Sequence, residues 1–160
     1  MSEPAFDELL RRLAAADVQF VLIGGLALNA WGVVRGTRDV DIVPETSLDN
    51  LARIAEVATS AGGHVQTGTA LAGSTFSIAA LLTQGGRVMI ETALGPLDVV
   101  QGLPGVPSHE ELTSRSTTVE VLGTRVAVCA LDDLRAMKRA AGRTRDLADL
   151  EDLETAHGKG

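Results

Sequence analysis

The sequence has few of the residues that support a disulfide framework, a thiolate metal site or a platform of aromatic rings. Among its 160 residues there are one cysteine, one tryptophan, three phenylalanines and no tyrosine. The single thiol of Cys129 can form no internal disulfide, which favours a reducing compartment and predicts a cytoplasmic protein. Cys129 lies in an apolar run, so we expect it to be buried and inert. The three histidines are scattered and show no metal-ligand spacing, which argues against zinc.

Long hydrophobic runs are also missing, and no segment predicts a membrane span. The uncharged stretch within 17–35 is interrupted by Gln19 and Asn29 and falls short of the about 20 apolar residues that a span requires. A second uncharged stretch, 57–86, is too rich in serine, threonine and glutamine. Because such a long uncharged surface is unusual, we expect part of 57–86 to be covered by the core or by a second copy of the chain in a homodimer.

Charge and hydrophobicity fit one ordinary domain that spans residues 1–160. The chain carries 14 basic and 21 acidic side chains, for a net charge of −7, and 45% of its residues are hydrophobic. Leucine, valine, isoleucine and alanine supply most of this apolar mass, so a sizeable core can form. The acidic balance argues against a non-specific nucleic-acid coat, but it allows a nucleotide substrate held by a local basic patch.

The hydrophobic pattern alternates between the periods of strands and helices, which predicts an α/β fold. Segment 70–82 could form a helix or two poor strands, and we favour the helix. Pro44 is expected to end the second strand. We predict strands over 19–23 and 39–43, hairpins over 87–101 and 119–128, and helices over 6–16, 26–31, 48–61, 70–82, 131–141 and 144–156. The second hairpin turns through Gly123, and a capping box of Ser108 with Glu111 predicts one more short helix that begins at residue 109.

Two acidic residues on the second predicted strand form the main chemical signal. Asp39 and Asp41 are two positions apart, so their side chains project from the same face of a strand at a spacing of about 6.6 Å. Carboxylates in this arrangement can share divalent cations, and Mg²⁺ prefers such oxygen ligands together with phosphates and water. The sequence therefore predicts a magnesium site at Asp39 and Asp41.

Two further features point to phosphate chemistry beside these carboxylates. Gly24 and Gly25 lie where a strand turns into a helix, and free backbone N–H groups at such a turn attract phosphate. Asp98, flanked by apolar residues on a later strand, is the predicted third carboxylate, which would bind metal and take the proton from an attacking hydroxyl. Glu91 is the competing acid for this role, and a charge at the edge of a hairpin is the alternative without function.

The order of these motifs resembles the nucleotidyltransferase superfold shared with DNA polymerase β. The resemblance rests on the glycine pair, the Asp39-x-Asp41 motif and the lone Asp98. It implies a minimal nucleotidyltransferase fold, with a central mixed β-sheet flanked by helices, a core over about 17–130 and a C-terminal helical pair over about 131–156. Many such proteins carry Gly-Ser where this chain has Gly24-Gly25, so a serine contact to phosphate is absent.

A narrower resemblance involves basic residues. The segment Arg35-Gly-Thr37-Arg38 before the acidic pair, together with Lys138 and Arg143-x-Arg145-Asp146-x-x-Asp149, is similar to AbiEii-type nucleotidyltransferase toxins and related proteins. The segment that contains Arg35 and Arg38 could instead be a solvated loop. The C-terminal basic residues could complement a helix end, and the last two aspartates could form a solvent face or pair with the arginines. On the resemblance, the residues that bind the nucleoside triphosphate are Gly24, Gly25, Arg35, Thr37, Arg38, Lys138 and Arg143.

The resemblance implies an enzyme that uses Mg²⁺ or Mn²⁺ and transfers a nucleoside monophosphate from a nucleoside triphosphate to an acceptor hydroxyl. Asp39, Asp41 and Asp98 would be both its metal ligands and its catalytic residues. The implied acceptors are an RNA or tRNA end or a protein, within a toxin–antitoxin module. Two alternatives stay open: a catalytically silent nucleotide-binding or antitoxin partner protein, and a small-molecule nucleotidyltransferase of the aminoglycoside-modifying kind.

Overall fold

The first apolar runs of the sequence form the centre of a mixed β-sheet. In a computed structural model, which describes residues 3–160, six strands lie in the order β5-β6-β2-β1-β8-β7, and β3 pairs with β4 in a separate hairpin. The mixed sheet predicted above is therefore confirmed. The strands are β1 (Phe20–Ile23), β2 (Val40–Pro44), β3 (Val65–Thr67), β4 (Ala70–Ala72), β5 (Gly86–Ile90), β6 (Leu97–Gln101), β7 (Thr117–Val121) and β8 (Thr124–Val128).

Helices flank this sheet and supply the other half of the core. Leu9, Leu10 and Leu13 recur at helical spacing on the first helix and are fully buried. Within residues 3–160 no helix is both long and apolar enough to cross a membrane. The helices are α1 (Phe6–Ala15), α2 (Gly24–Ala30), α3 (Leu48–Ser60), α4 (Thr75–Thr83), α5 (His109–Arg115), α6 (Leu131–Ala141) and α7 (Thr144–His157).

The structure corrects the predicted helix over 70–82. Residues 70–72 form β4, which pairs with β3 through a turn at Gly68, whose φ is +60°. The helix α4 begins only at Thr75, because Ser74 and Ser77 form a reciprocal capping box that fixes its N-terminus. The two-strand alternative thus holds for the first part of the segment and the helix for the rest.

Pro44 ends the second strand, as predicted, although β2 begins and ends one residue later than 39–43. Pro44 is the last residue of β2 and lies opposite Phe20 of β1. A proline is tolerated here because it removes only one N–H from the ladder, and the N–H of Glu45 still donates a hydrogen bond of 3.0 Å to the backbone carbonyl of Gln19. β2 is therefore a central strand between β1 and β6.

The uncharged stretch 57–86 is divided between the core and the surface. Ile78 and Leu82 of α4 are fully buried, which confirms that the core covers part of the stretch. Leu71 and Phe76 are exposed, and the side chain of Phe76 is 85% accessible. Covering of this outer face by a second copy of the chain stays a prediction.

Strand register is the feature that builds the site. β2 and β6 are parallel, and their register places Asp41 directly beside Asp98. β1 and β2 are antiparallel, and their register places Ile23 beside Asp41, so that Gly24 follows at the same edge of the sheet. Three segments that are distant in sequence therefore meet at one edge.

Candidate active site

Three carboxylates converge where β2 and β6 run side by side. Asp39 precedes β2, Asp41 lies within it and Asp98 lies on β6; one carboxylate oxygen from each falls within 4.8 Å of the others. Asp98 has a side chain only 3% exposed, and its Oδ1 atom is buried without a hydrogen-bond partner among the described residues. An unpartnered buried oxygen beside two other carboxylates is suited to a cation.

Electrostatics disfavour three ionised carboxylates in this space. Burial, with the neighbouring charges of Asp39 and Asp98, raises the pKa of Asp41 from its ordinary 3.8 to about 8. Burial also raises the pKa of Asp98, although the guanidinium of Arg87 acts in the opposite direction. Without a divalent cation, the cluster therefore retains a proton at neutral pH.

This proton predicts an unusual pH dependence of stability. Because the pKa of Asp41 is higher in the folded than in the unfolded chain, the folded state binds the extra proton between pH 4 and about 8. In the presence of EDTA, the free energy of unfolding should therefore fall as pH rises through this window, by at most about 1.4 kcal/mol per pH unit. Urea unfolding across this range checks the prediction. Asp41→Asn should show a shallower fall, and an unchanged slope in the variant would contradict the assignment.

Glycine is required at position 24 for two reasons: the backbone conformation at that position and the close approach of Asp41. Its φ is +69°, a conformation that side chains rarely adopt, and a Cβ atom there would overlap the carboxylate of Asp41. The absence of a side chain thus lets the backbone approach the acidic cluster closely.

Alanine at position 24 should therefore disturb both the fold and the cluster. We expect Gly24→Ala to cost about 1–3 kcal/mol of stability from backbone strain and to displace Asp41. Thermal unfolding with and without Mn²⁺ measures both effects. Gly36→Ala is the matched control, because a Cβ atom at position 36 would meet nothing within 4 Å. Equal stability of the two variants would show that Gly24 is not constrained as described.

Gly25 is constrained by Thr37. A Cβ atom at position 25 would lie 2.5 Å from the Thr37 Oγ1 atom. That hydroxyl donates a hydrogen bond of 3.0 Å to the backbone carbonyl of Asp39. A serine at position 25 would therefore displace Thr37. In this chain, the side chain of Thr37 occupies the space that a serine at position 25 would need.

The basic residue Lys138 is buried rather than solvated at a helix end. Its Nζ atom lies 2.9 Å from Asp149 Oδ2 and 3.4 Å from Asp146 Oδ1. Both aspartates have side chains only 1% exposed. The solvent-face interpretation of Asp146 and Asp149 is therefore wrong, and their pairing with basic side chains is confirmed.

Two arginines extend this charge network to the surface. Arg35 Nη1 lies 2.8 Å from Asp149 Oδ1, and Arg143 Nε donates a hydrogen bond of 2.7 Å to Asp146 Oδ2. Burial alone would raise the pKa of Asp146, but the bonds from Arg143 and the charge of Lys138 leave this pKa below its ordinary value. The contacts to Asp149 are close but poorly aligned, so charge rather than directed hydrogen bonding holds it.

The predicted metal ligands and nucleotide-binding residues line two adjoining cavities. The smaller, of about 160 Å³, contains the three carboxylates and has an apolar wall that includes Leu103, Val106 and Met137. The larger, of about 410 Å³, is basic. Arg139 lines neither cavity and so lies apart from the other basic residues. The larger cavity is lined by Gly24, Gly25, Arg35, Gly36, Thr37, Arg38, Asp39, Asp41, Lys138, Arg143 and Arg145.

One residue of the site, Arg87, was not predicted from the sequence. Glu91 was the competing candidate for the role of Asp98. Arg87 of β5 reaches the acidic cluster, with its Nε atom 2.7 Å from Asp98 Oδ2. In the hairpin of β5 and β6, Met89 lies opposite Asp98, and Arg87 projects from the same face two residues earlier. Glu91 lies outside the acidic cluster and pairs through its backbone with His64.

Comparison by sequence gives no relative, since no protein-family model and no curated protein match the chain. Comparison by structure gives several. The lincomycin-bound lincosamide antibiotic adenylyltransferase LnuA has a TM-score of 0.68 and 12% identity, covering 98% of each chain. ANT(2")-Ia in complex with adenylyl-2"-tobramycin has a TM-score of 0.62 and 12% identity, covering 94% of this chain and 86% of its own.

A third similar structure is JHP933 from Helicobacter pylori, with a TM-score of 0.54 and 20% identity over 98% of this chain and 68% of its own. Because these sequence identities are low, the structural similarity shows a shared fold and nothing more. Together with the sheet order and the edge where three carboxylates meet, it leads to one conclusion: the chain adopts the nucleotidyltransferase fold.

Proposed function

We propose that the chain is a Mg²⁺-dependent nucleotidyltransferase, which moves a nucleoside monophosphate from a nucleoside triphosphate to an acceptor hydroxyl. The observation that carries this proposal is the juxtaposition of Asp39, Asp41 and Asp98 with a basic cavity in a chain of net charge −7. Asp146 and Asp149 pair with three of the five cations of this cavity, whereas Arg38 and Arg145 form no ion pair among residues 3–160 and can meet a bound anion.

The basic cavity is the proposed site of the triphosphate. Arg38 and Arg145 are exposed on its rim, and Arg143 remains half exposed although it pairs with Asp146. Guanidinium groups bind phosphate oxygens in pairs, so these arginines can balance the charge of the β- and γ-phosphates. Lys138 and Arg35 contribute fixed positive charge from the buried network, which Asp146 and Asp149 hold in place.

The acidic cluster is the proposed metal site, and its donor set fits Mg²⁺ or Mn²⁺. All three candidate ligands are carboxylates, and the Oδ1 atom of Asp98, which has no hydrogen-bond partner among residues 3–160, is free to coordinate a cation. When bound, such a cation supplies charge neutralisation and Lewis-acid activation of phosphate oxygens.

Asp98 is the proposed general base. Its position beside the apolar wall of the cavity suits it to accept the proton of an acceptor hydroxyl, and Asp39 and Asp41 on the neighbouring strand would hold the cations that orient the phosphates. A bond forms between the acceptor oxygen and the α-phosphorus, and the bond from that phosphorus to the bridging oxygen breaks. Pyrophosphate leaves with the electron pair, and the arginines of the basic cavity stabilise it.

A small-molecule acceptor is the second, narrower candidate. The apolar wall beside Asp98, which includes Leu103, Val106 and Met137, can cover one face of a hydroxylated ligand next to the proposed base. The similar structures LnuA and ANT(2")-Ia are named for the antibiotics they modify or hold, which supports this class. An RNA or tRNA end, or a protein within a toxin–antitoxin module, are the acceptors implied by the resemblance to AbiEii-type proteins.

Binding of metal and nucleotide can be tested before any acceptor is known. We expect Mg²⁺ or Mn²⁺ with a nucleoside triphosphate to raise the melting temperature, because a ligand at a hundred times its Kd adds about 2.7 kcal/mol to stability. The double variant Asp39→Asn and Asp41→Asn should remove the shift and remain folded. The same shift in the double variant would contradict the metal assignment.

The acceptor can be identified by following the transferred label. Each of the four nucleoside triphosphates, labelled at the α-phosphate, is incubated with the protein, Mg²⁺ and one of three acceptor pools: hydroxylated antibiotics, total tRNA or a protein fraction. Label in the antibiotic pool supports the small-molecule candidate, and label in tRNA or protein supports the others. Nucleotide binding without transfer to any pool would favour the silent binding protein.

A further inference from the structure

Arg87 places a permanent positive charge on the acidic cluster. It comes from β5, the edge strand of the sheet, and its Nε atom lies 2.7 Å from Asp98 Oδ2. Asp98 is almost fully buried, whereas the Arg87 side chain is 53% exposed. The arginine therefore extends from the surface to a largely buried carboxylate.

No other ion pair involves this cluster among residues 3–160. Lys138, Arg35 and Arg143 are engaged by the buried aspartates of α7, and Asp39 and Asp41 have no cationic partner within 4.0 Å in the described chain. The charge of Arg87 is the one that compensates the cluster directly. It occupies one oxygen of Asp98 and leaves Oδ1 of the same residue without a partner.

We propose that Arg87 is a resident counter-cation, which holds Oδ2 of Asp98 when no metal is bound and whose charge competes with a divalent cation for the acidic cluster. The inference rests on the metal site of the proposed function. A guanidinium group stays charged at all working pH values, so its repulsion of a bound cation is relieved only if it rotates away. Its exposed, flexible side chain can do so at low cost, and the phosphates of a nucleotide offer it a new anionic partner.

This role has a measurable consequence for metal binding. The positive charge of Arg87 opposes binding of the metal alone, so the nucleotide-free protein should bind divalent cations weakly. Removal of the guanidinium should relieve this competition, and we expect Arg87→Gln to bind Mn²⁺ about tenfold more tightly, in keeping with the loss of one charge-assisted hydrogen bond. Calorimetric titration of Mn²⁺ into the nucleotide-free protein measures this directly. Equal or weaker binding by Arg87→Gln would overturn the inference.

Two control variants separate competition at Asp98 from a general change of charge. Arg125→Gln removes the same charge from an exposed position on β8, which β1 and β2 separate from β6, and should leave the affinity for Mn²⁺ unchanged. Arg87→Lys retains a cation at the site and should bind Mn²⁺ less tightly than Arg87→Gln. A gain in affinity as large in Arg125→Gln as in Arg87→Gln would also overturn the inference.

The outcome also distinguishes this inference from the proposed function. Loss of Mn²⁺ binding in the double variant Asp39→Asn and Asp41→Asn would support the metal site. If the wild-type protein and Arg87→Gln nevertheless bind Mn²⁺ equally, the proposed competition by Arg87 is contradicted. If no variant binds Mn²⁺, with or without a nucleoside triphosphate, both fall.

Discussion

Asparagine in place of Asp98 is expected to lower the rate of nucleotidyl transfer by about a hundredfold or more, the usual contribution of a positioned general base. The variant keeps the shape of the side chain but can neither accept the acceptor's proton nor supply a negative metal ligand. Affinity for the nucleotide should change far less, because the basic cavity is untouched. Single-turnover transfer and nucleotide affinity, measured on the same preparation, separate the two effects.

Glu91→Gln is the matched control for this experiment. Glu91 was the competing acid in the sequence, but it lies outside the acidic cluster and is exposed. We expect its amide variant to retain full transfer activity. Full activity in Asp98→Asn would remove that residue from the catalytic set.

Methionine in place of Lys138 is expected to produce the largest loss of stability, about 3–5 kcal/mol, because removing one partner of a buried ion pair leaves uncompensated charge. The change would leave Asp146 and Asp149 buried beside an apolar side chain, with Arg143 and Arg35 as their remaining partners. Arg143 and Arg35 reach these carboxylates from the surface, so we expect the loss near the lower end of the range. Urea unfolding of the wild type and the variant measures it.

The control on the same helix is Arg139→Met. Arg139 is exposed and lines neither cavity of the site, so its replacement should change stability by less than about 0.5 kcal/mol. A similarly small effect for Lys138→Met would show that Lys138 behaves as an ordinary charge at a helix end and is not fixed by the buried aspartates.

Much of the fold follows from local patterns. The strand before Gly24, the capping box at Ser108 and the hairpin that turns at Gly123 each carry a recognisable local cause and occur as predicted. The helix predicted over 70–82 was placed too early, because the turn at Gly68 and the cap at Ser74 divide this part of the chain into a hairpin and a later helix. The residues of the turn and of the helix cap therefore determined the local structure of this segment.

The site was harder to derive, because its contacts depend on strand pairing and on helix packing. Asp39, Asp41 and Asp98 could be proposed from alternation, but only the parallel register of β2 and β6 places Asp41 beside Asp98. The pairing of Lys138 with Asp149 depends on how α6 packs against α7, which spacing along the chain does not determine. The position of Arg87 was accessible in principle, since the predicted hairpin implied a register that sets it on the face of Asp98.

The fate of the individual phosphates tests the central claim most directly. The protein is incubated with Mg²⁺, the acceptor pool that takes up label and a nucleoside triphosphate labelled at either the α- or the γ-phosphate. Nucleotidyl transfer predicts that the α-label becomes bound to the acceptor, that the γ-label appears in pyrophosphate, and that Asp98→Asn loses both signals together. Acceptor that carries the γ-label, with the α-label left in a nucleoside diphosphate, would contradict the account.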